Sequence, residues 1–492
     1  MTIVLALLIL LPPIAALACW VARQRAVWER VNLATFSALL VLGIFLALRV
    51  TQQGPVTAWG GFLRADALSA MVVLLTSFVA LACGIYAIGY LRRDASDGRI
   101  NESQLRRYYV LTPLFVGAMM LVPLADSLGV MWVATEATTL ASVLLVTLYN
   151  QKTSFEAGWK YIIIGSIGIS LALFGTIMTY YAYYASVGVL GAEGMNWSDL
   201  VGVAGRFDQT AMKLAFVFVL LGYGTKAGLA PMHTWKPDAY SEAPVPSSAL
   251  LAAGFLNCAV YSIARFNILA EKCLGHDFTS KLLVGFGVAS ILVAAPFVLT
   301  QRNFRRILAY SSIDHAGIMV AALGFGGRLG ALGAMLHMLF HAVTKPLMFF
   351  CAGNVQQQFG TTYFWKVRGV MRTLPWTGGL FLMGTLAVTG TPPFSIFQSE
   401  FNILSAALAG HRGVAAALFI AGVVTIFAGF LVHMSKLALG VPRSDVLEAR
   451  ECPWKLSAMA LVAVIVIVLG FWLPAPLYNL VQQSVQILGP TP

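Results

Sequence analysis

The chain is built of apolar runs, each long enough to cross a membrane as one α-helix. Apolar residues occupy 59% of its 492 positions and charged residues only 11%, which is more apolar sequence than a soluble domain needs. The runs are about 20 residues long, the length of helix that crosses a hydrocarbon core about 30 Å thick. We count about 14 runs, beginning near residues 3, 31, 66, 108, 128, 158, 210, 248, 281, 306, 328, 376, 413 and 455. Because the connections are short, the sequence predicts an all-α polytopic membrane protein with a single transmembrane domain over residues 1–492.

Basic residues predict the orientation of the chain. The first run, Ile3–Trp20, resembles a signal peptide, but no basic segment precedes it and arginines follow it, which favours a membrane anchor. With 14 spans and the N-terminus outside, 21 lysines and arginines fall on one side, nine on the other, and two, Lys226 and Lys345, within the membrane. The positive-inside rule makes the richer side cytoplasmic. This predicts a bacterial cytoplasmic (inner) membrane protein with both termini on the non-cytoplasmic side, and the net charge of +12 then indicates a lipid bilayer rather than nucleic acid.

Glycine and proline interrupt the seventh and the twelfth spans, and each interruption has an ionisable residue nearby. Lys226 lies in the seventh span and Glu400 follows the break in the twelfth. A cation at bilayer depth costs about 2.5–3.5 kcal/mol on insertion scales, and broken backbone is tolerated there only where it packs in protein or lines a wet cavity. Paired breaks of this kind indicate an ion site in transporters. The predicted break residues are Gly224, Pro231, Gly390, Pro392 and Pro393.

The two breaks lie five spans apart, which predicts two five-helix repeats. An odd number of spans per repeat inverts the second repeat relative to the first. We predict helices 1–3 over residues 1–105, the first repeat (helices 4–8) over 106–280, the second repeat (helices 9–13) over 281–438, and the last helix and tail over 439–492.

The eleventh span carries a row of titratable side chains. His337, His341 and Lys345 stand at i, i+4 and i+8, which places them on one helix face over about 12 Å. Such a row suits a proton relay, because imidazole titrates near neutrality. Two alternatives stay open: histidines hydrogen-bonded between helices, and a metal pair. No acidic helper of the His-Glu-x-x-His kind is present, so we predict no metal.

Other polar residues leave both structural and functional roles open. Glu136 lies in the middle of the fifth span, whereas His233 follows the first break and His315 begins the tenth span beside Asp314. The six cysteines are scattered without a Cys-x-x-Cys pair, so no iron–sulfur or zinc motif is present. No phosphate loop, nucleophile elbow or catalytic carboxylate pair occurs. We therefore predict neither a cofactor nor a catalytic centre in this chain.

Several of these motifs together resemble one known family. The run Gly224-Thr-Lys-Ala-Gly-Leu-Ala-Pro-Met-His-Thr-Trp-Lys-Pro-Asp-Ala-Tyr-Ser-Glu-Ala-Pro244 is similar to the seventh-helix signature of the antiporter-like subunits of respiratory complex I, Mrp-type sodium/proton antiporters and group 4 membrane-bound hydrogenases. The segments Ser311–His315, His337–Lys345 and Gly390–Glu400 resemble that family's tenth, eleventh and twelfth helices. The likeness covers roughly residues 105–435 and is strongest to hydrogenase-4 component F.

The resemblance implies roles for the charged residues. It pairs Glu136 with Lys226, makes Lys345 the central relay lysine and places Glu400 on the exit side. Protons would enter from the cytoplasm, pass Lys226, the histidines and Lys345, and leave past Glu400. In many complex I subunits a lysine stands where this chain has Asn257. That departure leaves Asn257 as a residue that could hydrogen-bond a water relay but cannot carry a charge.

The implied function is energy coupling without redox chemistry in this chain. The resemblance predicts a proton-translocating, or sodium-translocating, subunit beside other membrane subunits and a peripheral redox arm with nickel–iron hydrogenase-like and iron–sulfur subunits. Three alternatives remain: a subunit of NADH:quinone oxidoreductase, a subunit of an Mrp-type antiporter, and a structural subunit with a vestigial channel. Only the missing lysine at position 257 supports the last.

Overall fold

The computed structural model describes residues 1–188, 195–441 and 450–489. Parts of the predicted last helix and tail, residues 442–449 and 490–492, lie outside the described residues. The α-helices are α1 Thr2–Val21, α2 Arg25–Gln53, α3 Ala67–Ser96, α4 Glu102–Leu124, α5 Leu128–Val146, α6 Lys152–Val187, α7 Trp197–Val203, α8 Gln209–Ala227, α9 Trp235–Glu242, α10 Val245–Leu250, α11 Leu256–Leu274, α12 His276–Thr300, α13 Phe304–Phe325, α14 Gly327–Phe359, α15 Val370–Thr373, α16 Pro375–Val388, α17 Ser395–Ala409, α18 Gly413–Leu439, α19 Pro453–Phe471 and α20 Ala475–Ile487. A small antiparallel hairpin, β1 Val56–Ala58 and β2 Leu63–Ala65, joins α2 to α3.

The helices account for the 14 predicted spans. Within the described residues, 12 continuous helices are long and apolar enough to cross a membrane, with α10 and α11 counted as one span joined by the π-helical turn Leu251–Phe255. The seventh and twelfth spans are each two shorter helices around a break, α8 with α9 and α16 with α17. This confirms the predicted all-α polytopic architecture with two broken helices.

The first break is closed by a glycine in the left-handed conformation. Gly228 has φ of 74° and follows the last residue of α8. The amide of Leu229 donates to the carbonyl of Gly224 (2.8 Å), and that of Gly228 donates to Thr225 (3.1 Å). This is the Schellman arrangement, which satisfies carbonyls at a helix end. The non-helical segment therefore begins at Gly228, four residues after the predicted Gly224, and contains the predicted Pro231.

The second break repeats this design. Gly390 has φ of 66°, and the amide of Thr391 donates to the carbonyl of Leu386 at 3.0 Å. Pro392 and Pro393 lie in the non-helical segment before α17. In both breaks a proline stands three residues after the left-handed glycine. The same backbone device thus ends the first half-helix in both broken spans.

The order of segments is the same in the two predicted repeats. The first set is α4, α5, α6, broken α8/α9 and α10–α11, and the second is α12, α13, α14, broken α16/α17 and α18. The broken span is the fourth member of each set. The repeat boundaries at 106–280 and 281–438 remain a prediction.

Three spans form the centre of the bundle. The α10–α11, α13 and α14 spans are enclosed by protein along their most apolar stretch, whereas α1 and α18 bury only about a third of theirs. Charged side chains on the central spans therefore face other helices rather than lipid, as intramembrane charges must.

Helices α6 and α8 approach each other closely because small residues line their contact. A Cβ built on Gly222 would lie 2.6 Å from the Cα of Ala172, and one on Gly168 would lie 2.5 Å from the Cβ of Thr225. Small residues let membrane helices pack backbone against backbone. This contact holds the end of α8 against its neighbours.

The segment after the last span contains a helix, where the sequence predicted only a tail. Helix α20 buries Leu480 and Val481. Its Gln483 donates from Nε2 to the carbonyl of Thr51, at the end of α2 (2.9 Å). The helix therefore packs across the ends of other spans rather than extending away from the bundle.

Candidate functional site

The end of α8 and the middle of α5 form the first charged contact of the site. Lys226 is in the last turn of α8, and its side chain is fully buried. Its Nζ lies 3.2 Å from Oε2 of Glu136 and 2.5 Å from Oγ1 of Thr139. Glu136 and Thr139 are one turn apart on α5, and the Glu136 side chain is 22% exposed. The structure therefore brings together Lys226 and Glu136, the pair that the resemblance implies, and the Glu136 side of this pair stays partly exposed.

Two local features favour a cation at this point. The last turn of a helix carries partial negative charge, which stabilises a nearby cation. Gly165 on α6 faces Lys226, and a Cβ built there would lie 3.4 Å from its Nζ. The absence of a side chain at this position keeps room around the ammonium group.

Polar backbone in the first break finds partners inside the protein. This is the condition under which broken backbone is stable at membrane depth. Trp235 Nε1 donates to the Thr225 carbonyl (3.0 Å), Lys236 Nζ donates to the Ala227 carbonyl (2.7 Å), and Ser290 Oγ accepts from the Ala230 amide (2.9 Å).

Lys236 is a third buried lysine that the sequence analysis missed. The loop count placed it on the cytoplasmic side, and that assignment is wrong because the residue is fully buried. Helix α9 lies inside the protein after the break, and its Lys236 and Tyr240 stand at i and i+4 on the buried side. The Lys236 Nζ lies 5.6 Å from the centre of the Tyr240 ring and donates to the Ser312 carbonyl at 3.1 Å. The i, i+4 spacing was the signal available. Arg305 and Lys455 on the richer side and Arg265 on the other are buried as well, and the positive-inside asymmetry survives without all four, at 18 (21 − 3) against 8 (9 − 1).

Lys345 lies in a second polar cluster, between α13 and α14. The residue is fully buried, and its Nζ donates to Oγ of Ser311 (2.7 Å) and to the carbonyl of Leu308 (3.2 Å). Both acceptors are neutral. Asp314, one turn after Ser311, is 3% exposed, and its Oδ1 has no hydrogen-bonding partner within the part of the chain that is described. Asp314 is therefore a buried carboxyl of this cluster, and the sequence analysis gave it no role.

The histidines connect three helices. Nδ1 of His315 lies 2.9 Å from Nε2 of His337, and Nδ1 of His337 lies 2.9 Å from Oγ of Ser399 on α17. The His315 and His341 ring centres are 4.9 Å apart. Since His315 meets both His337 and His341, the two lie on one face of α14, as predicted. All three rings are buried, and both ring nitrogens of His341 lack a partner among the described residues.

Glu400 closes the row at the second break. Its carboxylate lies against Gly390, where a Cβ would collide with it. It also faces a cavity of about 280 Å³ between α17 and α18. A carboxylate oxygen and one ring nitrogen each of His315 and His337 lie within 4.8 Å of one another. These are metal-ligand types, but both ring nitrogens of His337 are already hydrogen-bonded, Nε2 to His315 and Nδ1 to Ser399, so a metal bound by His337 would have to displace one of these bonds.

Two predicted residues lie apart from the hydrogen-bonded clusters. His233 is half-buried in the break between α8 and α9, and its Nδ1 has no partner in the described ranges. Asn257, in the first turn of α11, is fully buried, and neither its amide nitrogen nor its amide oxygen has a partner there. A buried amide without protein partners is a place where a water molecule is stable.

Comparison with known proteins agrees with this architecture. A family model described as NADH:quinone oxidoreductase/Mrp antiporter, transmembrane, matches residues 125–428, and one for the N-terminus of complex I chain 5 matches residues 62–100. The hydrogenase-4 component F homolog of Methylacidiphilum infernorum is 36% identical over 386 residues, which cover 78% of this chain and 81% of the relative. The NADH-quinone oxidoreductase subunit N of Desulforudis audaxviator is 30% identical, covering 84% and 81%.

A solved structure supports the fold independently. One chain of the membrane-bound sulfane sulfur reductase, an archaeal respiratory membrane complex, superposes with a TM-score of 0.88 over 99% of this chain and 97% of that one. At 23% identity this likeness concerns the fold alone. The family model spans more than half of the chain, and the resemblance noted from the motifs is confirmed. The chain belongs to the NADH:quinone oxidoreductase/Mrp antiporter transmembrane family.

Proposed function

We propose that this chain carries protons across the membrane as a non-redox, antiporter-like subunit of a multi-subunit respiratory or hydrogenase complex. The observation that carries the proposal is the contact between Lys226 and Glu136, 3.2 Å apart at the end of a broken membrane helix. Relatives named as a hydrogenase-4 component F homolog and an NADH-quinone oxidoreductase subunit support the assignment to this class of subunit.

The Lys226–Glu136 contact can act as a proton switch. Removing a lysine from water disfavours its charged form, and a carboxylate within about 4–6 Å favours that form again. A change that moves Glu136 away from Lys226 would therefore make the lysine release its proton, and its return would load the lysine again. Movement of the carboxylate is sterically feasible because Glu136 keeps 22% of its side chain exposed.

The route that we propose follows the polar groups through the bundle. Protons enter from the cytoplasm at Lys226, pass Lys345 and the histidines His315, His337 and His341, and leave past Glu400. Water held at Asn257 and His233 is proposed to assist the transfer. The setting is a bacterial cytoplasmic membrane with both termini on the non-cytoplasmic side, which the charge asymmetry supports.

The energy for transport is proposed to come from partner subunits. Other membrane subunits and a peripheral arm with nickel–iron hydrogenase-like and iron–sulfur chains would supply it. The relative named as a hydrogenase-4 component F homolog supports a hydrogenase as the parent complex. Purification in mild detergent tests this directly. A copurifying nickel–iron large subunit supports the hydrogenase assignment, whereas a copurifying flavin and NADH oxidation would indicate a complex I subunit and contradict it.

Substitution of the charged pair tests proton transport. We expect Glu136→Gln and Lys226→Met each to lower redox-driven acidification of inverted membrane vesicles at least tenfold. The vesicles are energised by hydrogen, formate or NADH, whichever donor feeds the copurified complex, and acidification is followed with a fluorescent amine. Each change removes one partner of the switch. Acidification that survives both substitutions would contradict the proposal.

An exposed lysine provides the matched control. Lys281 also forms an ion pair, at 2.6 Å with Asp277 of the same helix, but its side chain is 71% exposed. Exposed pairs of this kind contribute little to stability, so Lys281→Met is expected to leave acidification unchanged. A stand-alone sodium/proton antiporter is distinguished by proteoliposomes: exchange of sodium for protons without any redox donor would favour that alternative.

A further inference from the structure

We propose that Lys236 carries protons between the two halves of the site, as the group that connects Lys226 to Lys345. This inference rests on the proposed proton transport and gives Lys236 a place in it. Lys236 is fully buried, in the second half of a broken membrane span.

The contacts of Lys236 join both charged clusters. Its Nζ donates to the carbonyl of Ala227, the residue next to Lys226, and to the carbonyl of Ser312. The neighbour of Ser312 is Ser311, whose hydroxyl accepts from Nζ of Lys345. The three lysines are therefore connected through two pairs of adjacent residues, 226–227 and 311–312. Of the groups described, Lys236 is the one that bonds to both pairs.

Lys236 differs from the basic residues that hold the fold together. Arg265 is buried, but it is neutralised by Asp66 at 2.6 Å. Arg305 is buried and donates to the carbonyls of Tyr240 (2.8 Å) and Ala243. An arginine stays protonated in proteins and suits such permanent contacts, whereas a lysine can give up its proton. The hydrogen bonds of Lys236 in the described structure go to neutral carbonyls, so no carboxylate fixes its charge.

The two breaks place an ionisable side chain at the same point. A Cβ built on Gly228 would lie 2.6 Å from Cδ and 3.1 Å from Nζ of Lys236. At the second break, the carboxylate of Glu400 covers Gly390 in the same way. Each left-handed glycine thus makes room for a titratable group from the following half-helix. Lys236 occupies in the first break the place that Glu400 occupies in the second.

Repulsion between like charges couples the protonation of Lys236 to that of Lys345. Lys236 and Lys345 bond to adjacent residues of α13, and two positive charges so placed disfavour each other. A proton that arrives on one lysine therefore promotes release from the other. Such a pair passes a charge on rather than storing it.

Two substitutions separate proton transfer from a structural role. Lys236→Gln and Lys236→Arg both keep N–H donors for the two carbonyls. Neither side chain can release a proton, because an amide does not titrate and an arginine stays protonated in proteins. We expect each to lower redox-driven acidification of inverted vesicles at least tenfold, per copy of assembled complex. Because the two changes differ in size and charge, the variant that assembles decides the result if the other does not.

Lys455 supplies a buried control. It is 3% exposed, and its Nζ donates to Oε1 of Gln357 at 3.0 Å, away from the three connected lysines. Lys455→Gln is expected to stay within twofold of the unaltered complex. Unchanged acidification in Lys236→Gln or Lys236→Arg would overturn the inference and leave Lys236 as a cap for the end of α8. If Lys226→Met also kept full acidification, proton transport by this chain would itself be wrong, so the two failures are distinguishable.

Discussion

Residue identity at one backbone position determines whether Lys236 can lie where it does. Gly228 has φ of 74°, a region that costs a residue with a Cβ about 1–2 kcal/mol. The side chain of Lys236 fills the space where that Cβ would be. Glycine is required here for two independent reasons, a backbone angle and a contact.

We expect Gly228→Ala to destabilise the protein by about 1–3 kcal/mol, from backbone strain plus overpacking, and to lower acidification by displacing Lys236. Thermal unfolding in detergent measures the first effect and the vesicle assay the second. Gly285→Ala is the control, because Gly285 lies within α12 with no atom within 4 Å of its built Cβ. Equal unfolding temperatures for the two variants would contradict the expectation.

The sequence predicted individual charged residues well where a polar group stood inside an apolar run. Lys226, Glu136 and Lys345 were visible for this reason. Lys236 was not, because it follows a proline-containing break and the polar residues around it resemble a loop. Its burial depends on how α9 packs against the other helices of the bundle, which no local apolar run predicts.

At the scale of elements, the contact between α6 and α8 holds the first broken span in place. Gly222 leaves no room for a side chain against Ala172, so the helices meet backbone to backbone. Lys226 lies four residues further along α8, on the same side after about one turn. The position of its ammonium group therefore depends on the distance between these two helices.

Replacing Gly222 by leucine should separate α6 from α8. We expect a loss of about 1–3 kcal/mol, typical of overpacked cores, and weaker acidification because Lys226 moves away from Glu136. Unfolding in detergent and the vesicle assay report the two effects. Gly379→Leu in α16, where the built Cβ has no atom within 4 Å, should change neither. Unaltered stability of the Gly222 variant would show that the close contact between α6 and α8 does not contribute to the stability of the protein.

Apolar runs are sufficient to predict the spans, but they do not predict the residue at which each helix ends. Gly224 was predicted as a break residue, yet it stays helical because its carbonyl accepts the amide of Leu229. The hydrogen bond that ends the helix comes from residues beyond it. Likewise the sequence predicts only a tail where α20 lies, because this half-polar segment lacks the continuous apolar run of a span.

At the scale of the whole molecule, the central spans collect polar groups that are far apart in the sequence. His315, His337 and Ser399 come from three helices and form one hydrogen-bonded row. The sequence predicted the row on α14 from its spacing of four residues. It could not predict that α13 and α17 would meet that row, because helix packing is determined by contacts across the whole bundle.

Orientation is a property of the whole chain and can be tested by thiol labelling. In a Cys452→Ser background, the remaining native cysteines are buried. We expect a cysteine at exposed Lys281 to react with a membrane-impermeant maleimide in intact cells, and one at exposed Lys152 to react only after the membrane is opened. The reverse pattern would place both termini in the cytoplasm and contradict the orientation predicted from charge.

The link between the two halves of the site has a consequence for genetics. Lys236 bonds to Ala227 and Ser312 through their carbonyl oxygens, which every amino acid possesses. Replacing those two side chains leaves the acceptors in place. A mutational scan that changes one side chain at a time will therefore detect Lys236 but not the carbonyl groups to which it donates. A map of essential positions would show Lys236 as an isolated residue, although its partners are part of the main chain itself.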